Sequence, residues 1–268
     1  MTGVPMRMVL LLLCLEGVAA FAQIGSSEMR TVDPQLDWTL GVQRSQPTIT
    51  ASVQGSRDGR VSLVDTDSDL GLQREGNPFG ALLEYKTQGH GFRLAYDSFR
   101  LQGEKALPRD ISLNGTPNAS GSVLRSTAKL TILEALYTYK LFQQPDAWVG
   151  LDLGAQFLKT NLTAANLTAQ SPTQTAAPSL TVPQIGISGW SSAAGGLLES
   201  RMYYHYLVYR GVTATRYGLD GRAYLYPHFG LRTFYEVSKI KVPAGSIQGD
   251  LDLRMDAKSF GLGLVVRF

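Results

Sequence analysis

The chain has 268 residues, 44% hydrophobic and 18% charged, with a formal net charge of +3. So small a charge, with no clustered basic stripe, gives no footprint for nucleic acid. Beyond the amino-terminal segment no run of 18 apolar residues occurs, which excludes a helical membrane protein, and 12 prolines and 28 glycines in a chain of this length do not make a disordered one.

The amino-terminus reads as a secretory signal peptide over residues 1–22. Arg7 supplies the positive region, Met8 to Leu15 the short apolar core, and Ala20-Phe21-Ala22 a small-x-small cleavage site, so the mature chain is expected to start at Gln23. Glu16 interrupts the apolar run. Cys14 is the only cysteine. The large residue before it and the short apolar stretch argue against lipidation. Cleavage after Ala22 removes this cysteine, and with it any disulfide, thiol nucleophile or thiolate metal site. Residues 23–47 show no clear alternation and are expected to be a periplasmic lead-in.

From residue 48 to the end the pattern has period two, the mark of strands with one apolar face. Ile49, Ala51 and Val53 alternate with Thr48, Thr50 and Ser52. Later sets are Phe79 to Tyr85, Phe92 to Tyr96, Val149 to Phe157, Leu198 to Tyr206, Tyr217 to Leu225 and Phe229 to Val237. A weaker strand lies at about 183–190. Two segments change phase. In 122–141 the apolar set moves from Leu124, Ala128, Leu130 and Ile132 to Leu133, Ala135, Tyr137, Tyr139 and Leu141. In 251–268 it moves from Leu251, Leu253 and Met255 to Phe260 onward. One extra residue reverses every later side chain, so bulges near Ile132 and Ala257 are expected; the alternative is that the outer halves of these strands project beyond a membrane.

Connections fall into two kinds. Short ones are Thr87-Gln88-Gly89, Gln143 to Ala147 and Pro227-His228; longer ones run about 55–77, 100–121, 160–184 and 243–250. In the first long one, Asp65-Thr66-Asp67-Ser68-Asp69 places carboxylates at alternate positions. Leu70 stands where a calcium loop of the EF-hand kind needs glycine, so the aspartates are read as turn-forming residues. The Thr, Ala, Ser, Asn and Gln of 161–182 read as a mobile outer loop.

The chain closes on Phe260, Leu262, Leu264, Val266 and Phe268, all on one parity. With the signal peptide, the alternation and the aromatics at strand ends, this resembles the superfamily of bacterial outer-membrane β-barrel proteins. The resemblance covers the signal peptide and residues 48–268, rests on pattern and names no specific member. It implies an all-β, closed, antiparallel, up-and-down transmembrane barrel, with ten strands preferred and eight as the alternative count. It implies the bacterial outer membrane as location, lipid and lipopolysaccharide as surroundings, and an assembly machinery that reads the five residues ending in Phe268. Oligomeric state is left open.

If the apolar face meets lipid, the other face lines the lumen. It is then expected to hold Glu84, Arg93, Asp97, Arg125, Lys129, Asp152, Glu199, Arg201, Asp220, Arg222, Arg232 and Glu236, with Lys86 and Glu134 beside them. In so narrow a bore mixed charges pair and plug, because unpaired buried charge is costly. A structural or interaction-mediating barrel with a plugged lumen is therefore expected, against the alternatives of a narrow solute channel and an outer-membrane enzyme acting on lipid or peptide. The catalytic reading has only His90, His205 and His228, placed near the presumed periplasmic rim, and no GxSxG or HExxH. No catalytic residue, metal or cofactor is expected.

Overall fold

The computed structural model describes residues 38–57, 60–113, 115–169, 173–176, 179–244 and 252–268. The signal peptide, Cys14 and the lead-in as far as residue 37 lie outside the described residues. Fourteen strands follow one another: β1 (Trp38–Arg57), β2 (Arg60–Asp65), β3 (Gln73–Lys86), β4 (His90–Ala106), β5 (Ile111–Leu113), β6 (Thr116–Asn118), β7 (Val123–Gln144), β8 (Ala147–Asn166), β9 (Gln174–Ala176), β10 (Ser179–Ala193), β11 (Leu198–Tyr209), β12 (Val212–Tyr224), β13 (Phe229–Val242) and β14 (Asp252–Arg267).

Ten of them close into an antiparallel barrel in the order β1-β3-β4-β7-β8-β10-β11-β12-β13-β14, with β14 returning to β1. At the seam Trp38 and Phe268 exchange backbone hydrogen bonds, each 3.0 Å. The strands β2 and β9 extend β1 and β8, and β5–β6 form a separate ribbon. The short connections lie at the rim that holds both Trp38 and Phe268, called the lower rim below. The long ones lie at the upper rim, except for the two-residue turn Arg210-Gly211. Both residues there have positive φ, 49° and 81°, the geometry of the tight hairpin turn that suits strand twist.

Two expectations need correction. The barrel does not start at residue 48, because Trp38, Leu40 and Val42 already face outward while Thr39 and Gln43 face inward. Arg44, next in the outward series, hides that short apolar run. The expected bulges near Ile132 and Ala257 are absent. Asp97↔Ile132↔Leu158 and Ile49↔Ala257↔Ser238 are in continuous register. The change of phase is instead a change in which face is apolar.

Below that level the apolar side chains point outward. Val149–Phe157, Leu133–Leu141, Phe229–Val237 and Phe260–Phe268 each span nine residues with apolar or aromatic side chains at most outward positions. Nine tilted residues rise about 20 Å, close to the apolar band of an outer-membrane barrel. Above it the outward positions turn polar: Arg125, Lys129, Lys159, Lys239, Lys241, Arg254 and Lys258 are exposed. The inward positions there turn apolar. One strand thus presents an apolar outer face in its lower half and a polar one in its upper half.

Two ladders are incomplete. Between β1 and β3, pairing runs from Trp38↔Tyr85 to Gln43↔Gly80 and stops. Between β10 and β11 it runs from Ala193↔Leu198 to Gly186↔His205 and stops. Above that point Ser179–Ile185 pair only with β8, and Tyr206–Tyr209 only with β12. Pro47, Pro78 and Pro183 all stand beside these breaks, where a missing N–H costs the ladder nothing.

Candidate functional site

The lower lumen is filled by charge. Seven cations (Lys86, Arg93, Arg201, Arg216, Arg222, Arg232 and Arg267) face seven carboxylates (Glu84, Asp97, Glu134, Asp152, Glu199, Asp220 and Glu236). Asp220 on β12 is the hub. It accepts from Arg232 at 2.6 and 2.9 Å and from Arg222 at 3.3 Å, and lies 3.5 Å from Arg93. Glu84 on β3 binds Arg93 at 2.7 Å and Arg222 at 2.6 Å. Glu134 on β7 takes Arg93 from the neighbouring β4 at 3.2 Å and, across the bore, Arg216 of β12. Glu199 takes Arg267 at 3.0 Å and Lys86 at 3.5 Å.

Neutral groups complete the coordination. Asp152 accepts from Thr138 at 2.6 Å, Ser188 at 2.9 Å and His205 at 2.8 Å, with Arg201 at 3.4 Å. Gln43 donates to Asp97 at 2.8 Å and accepts from Arg232. Glu236 accepts from Tyr203 at 2.5 Å and Arg216 at 2.6 Å. Seven cations in contact with six carboxylates, and Asp97 held by the Gln43 amide, let these groups be buried with little net charge in the wall. Glycines make the room, Gly261 and Gly218 among them. A Cβ on Gly261 would lie 2.1 Å from the Phe234 ring, and one on Gly218 2.5 Å from the Tyr203 hydroxyl.

Ten of the twelve sequence-assigned lumen charges are brought inside. Arg125 and Lys129 are not. They are exposed on the outer wall, where Arg125 binds Glu104 at 2.9 Å. Without a bulge at Ile132 they share the outward parity of Leu133. Gln43, Thr138, Ser188, Tyr203, His205, Arg216 and Arg267 were missed. Their parity was available, but pairing across the bore depends on the stagger of the barrel.

A second closure lies above the charges. Phe99, Leu130, Leu158, Leu180, Val182, Val212, Ile240, Val242 and Met255 form one buried cluster, with Ile49, Ala51 and Leu207 against it. These side chains come from nine barrel strands and meet inside the bore. Above them the upper connections have a core of their own, in which Leu70, Leu72, Leu107, Ile111 and Leu124 are buried. The Asp65–Asp69 segment forms the turn there. Asp65 accepts the amides of Asp67 and Ser68 at 2.9 and 2.7 Å. Asp69 accepts the Asp65 amide at 2.8 Å and Arg109 at 2.6 Å. Burial raises the Asp69 carboxyl pKa, but the bonds from Arg109 and the Asp65 amide outweigh it and hold the group below the ordinary aspartate value.

The histidines are dispersed. His90 contacts the Tyr137 hydroxyl at 2.6 Å, His228 the Arg267 carbonyl at 2.9 Å, and His205 is buried beside Asp152, well above the short-turn rim. Among the described residues no group of three metal-ligating side chains occurs. At the lower rim Trp38, Tyr85, Phe92 and Tyr137 form a run of touching rings with centroids 4.5–6.5 Å apart, an aromatic girdle. Tyr206 belongs to the upper edge of the apolar belt and not to this rim.

No family model matches the chain, and no curated protein is similar to it. Solved structures are similar in fold. The outer membrane protease OmpT of Escherichia coli superposes with a TM-score of 0.59 at 10% identity, covering 91% of this chain and 100% of that one. The β-domain of the Bordetella autotransporter BrkA gives 0.44 at 14% identity, over 87% and 98%. The attachment invasion locus protein Ail of Yersinia pestis gives 0.33 at 11%, over 87% and 99%. At these identities the likeness is one of architecture. What is shared is the fold: a closed antiparallel barrel with ten strands in the wall, like that of the outer membrane protease.

Proposed function

We propose that this protein is an integral outer-membrane barrel that does not conduct. Its work is structural or interaction-mediating, carried by the folded connections that it holds above the membrane. One observation carries the reading: the bore is closed twice, by thirteen mutually paired charges with Asp97 held beside them by Gln43, and by the apolar cluster above. A channel would need a continuous water column, and an enzyme would need reactive groups open to substrate. Lipid and lipopolysaccharide are the proposed surroundings of the belt. Phe260, Leu262, Leu264, Val266 and Phe268, all outward on the closing strand, are the proposed feature read by the assembly machinery.

The test is fractionation and conductance. The mature protein is expected with outer membranes, as a band whose gel mobility shifts on heating, and deletion of Phe268 is expected to deplete that folded band. Purified protein is expected to give no steps in a planar bilayer. Recovery as a soluble periplasmic protein overturns the membrane reading; stable porin-sized steps replace the sealed barrel with a channel.

A further inference from the structure

On the outer wall of β7 and β8, directly above the apolar belt, two lysines stand without partners. Lys129 and Lys159 are both exposed, and neither has an ion pair or hydrogen bond among the described residues. In register, Lys129 lies between Arg100 of β4 and Asn161 of β8, and Lys159 between Thr131 of β7 and Ser179 of β10. The two lysines are therefore diagonal neighbours on one face, about 7–8 Å apart at the backbone. The charge opposite Lys129, Arg100, has the same sign, and like charges directly opposite are destabilising. Arg100 has Glu75 opposite on its far side, whereas no carboxylate is in register with either lysine. Arg125, Lys239 and Arg254 differ, because each has a carboxylate: Glu104, Asp256 and Asp252.

Below the lysines the same wall carries an apolar groove. One outward row, Tyr96, Leu133 and Phe157, separates the two. Beneath that row Ala135 faces Ala155, and these small side chains sink the wall. The groove has a volume of about 490 Å³, is lined by Leu94, Ala135, Tyr137 and Leu153 among others, and reaches Trp38 at the lower rim. Its one charged neighbour, Arg93, belongs to the bore, where Glu84 and Glu134 hold it. From Thr131 to Ala135 is about 13 Å of strand, so the cationic patch and the groove lie in one line along β7.

We propose that this face of β7 and β8 docks a lipid phosphomonoester. Lys129 and Lys159 hold the phosphate, and the Thr131 hydroxyl and Asn161 amide donate to it. An alkyl chain runs down past Leu133 and Phe157 into the groove. Charge selects the head group: a phosphomonoester carries about −1.5 to −2 near neutral pH, which matches two unpaired ammonium groups, and a phosphodiester carries less. The alignment of patch and groove selects a lipid, because a free phosphate would occupy the patch and leave the groove unused.

This inference rests on the membrane reading, and the experiment separates the two. Membrane insertion is read by itself, as quenching of Trp38 fluorescence in vesicles of brominated phosphatidylcholine; Trp38 faces outward, whereas Trp148 and Trp190 face the bore. The site is read on the full mature chain in dodecyl maltoside micelles, after the heat-shifted band confirms folding. The protein is titrated with dioctanoyl phosphatidic acid, and bound lipid is counted by native mass spectrometry. Lys129→Gln with Lys159→Gln is expected to weaken binding at least tenfold. Lys241→Gln with Lys258→Gln, exposed on the far wall beside Asp256, removes the same charge and should change it less than twofold. Ala135→Trp fills the groove from its outward face and should weaken binding at least fivefold. Dioctanoyl phosphatidylglycerol should bind at least fivefold more weakly than phosphatidic acid, and inorganic phosphate should not displace it. Equal losses from the two lysine pairs would make the effect one of general surface charge and overturn the site. A silent Ala135→Trp, or displacement by inorganic phosphate, overturns the lipid; equal binding of phosphatidylglycerol overturns the monoester. Any of these with Trp38 still quenched leaves the membrane reading standing, and absence of that quenching overturns the membrane reading itself.

Discussion

Asp220 shows what one carboxylate does in a narrow bore. Three arginines converge on it from β4, β12 and β13, and the residue is 1% exposed. Removing one partner of a buried ion pair leaves an uncompensated charge, which costs more than the pair was worth. Asp220→Asn is therefore expected to lower stability by about 3–5 kcal/mol in a urea refolding titration. The exposed pair Arg125–Glu104 is the control, because both groups are solvated; Glu104→Gln should change stability by less than about 1 kcal/mol. Asp69, in the upper connection between β2 and β3, adds a pH dependence. Its folded pKa is lowered, so the stabilisation it gives is fully present above the unfolded aspartate value of about 3.9 and is lost as pH falls below it. Protease nicking of the 66–72 segment should rise as pH drops through that range, and Asp69→Asn should show the high rate at every pH. An unchanged pH profile in Asp69→Asn would remove the Asp69–Arg109 pair as the cause.

At the scale of the strand, polarity is set by height and not by parity alone. Glu134 and Leu130 both face the bore on β7, one in the charged layer and one in the apolar layer. Leu153 faces outward on β8 and is 52% exposed. Leu153→Arg should cost about 2–4 kcal/mol if it lies near the bilayer midplane. Leu130→Arg should be destabilising as well, although Arg is common on that face a few residues lower. Lys239→Leu, outward but above the belt, should be nearly neutral. A neutral Leu153→Arg in lipid would place that face outside the membrane. This height dependence explains what could be read from the sequence and what could not. The lower strands were legible because nine-residue runs alternate cleanly. The upper halves of β7 and β14 left two readings open, a bulge or a projection beyond the apolar belt, because alternation does not say which face is inside; the continuous register removes the first and agrees with the second. Arg125 and Lys129 were misplaced for that reason alone. Trp38–Val42 was missed because Arg44 cuts the run short. The breaks in the wall had a signal, since Pro47, Pro78 and Pro183 interrupt otherwise regular strands, but only the register shows which ladders they end.

At the scale of the whole molecule the two closures are in series, and that makes the barrel hard to open by a single class of change. The charged layer is held by Coulomb attraction and hydrogen bonds; the apolar layer is held by packing, with Phe99, Leu130 and Leu158 meeting side chains from the far wall. Water admitted through one layer still meets the other. Arg201→Ala with Arg222→Ala deprives Glu84, Asp152 and Glu199 of partners and should loosen the lower layer. It is nonetheless expected to give no steps in a planar bilayer, because the apolar cluster is untouched. Phe99→Ser with Leu130→Ser should hollow the upper layer and also stay silent, since the paired charges still fill the bore below. Only the four substitutions together are expected to yield a small leak, with a preference for cations because carboxylates would then outnumber their partners. The folded band on an unheated gel checks that each variant has closed its barrel before conductance is read. A leak from the arginine variant alone would mean that the apolar cluster does not seal the bore, and the closure would then rest on charge pairing only.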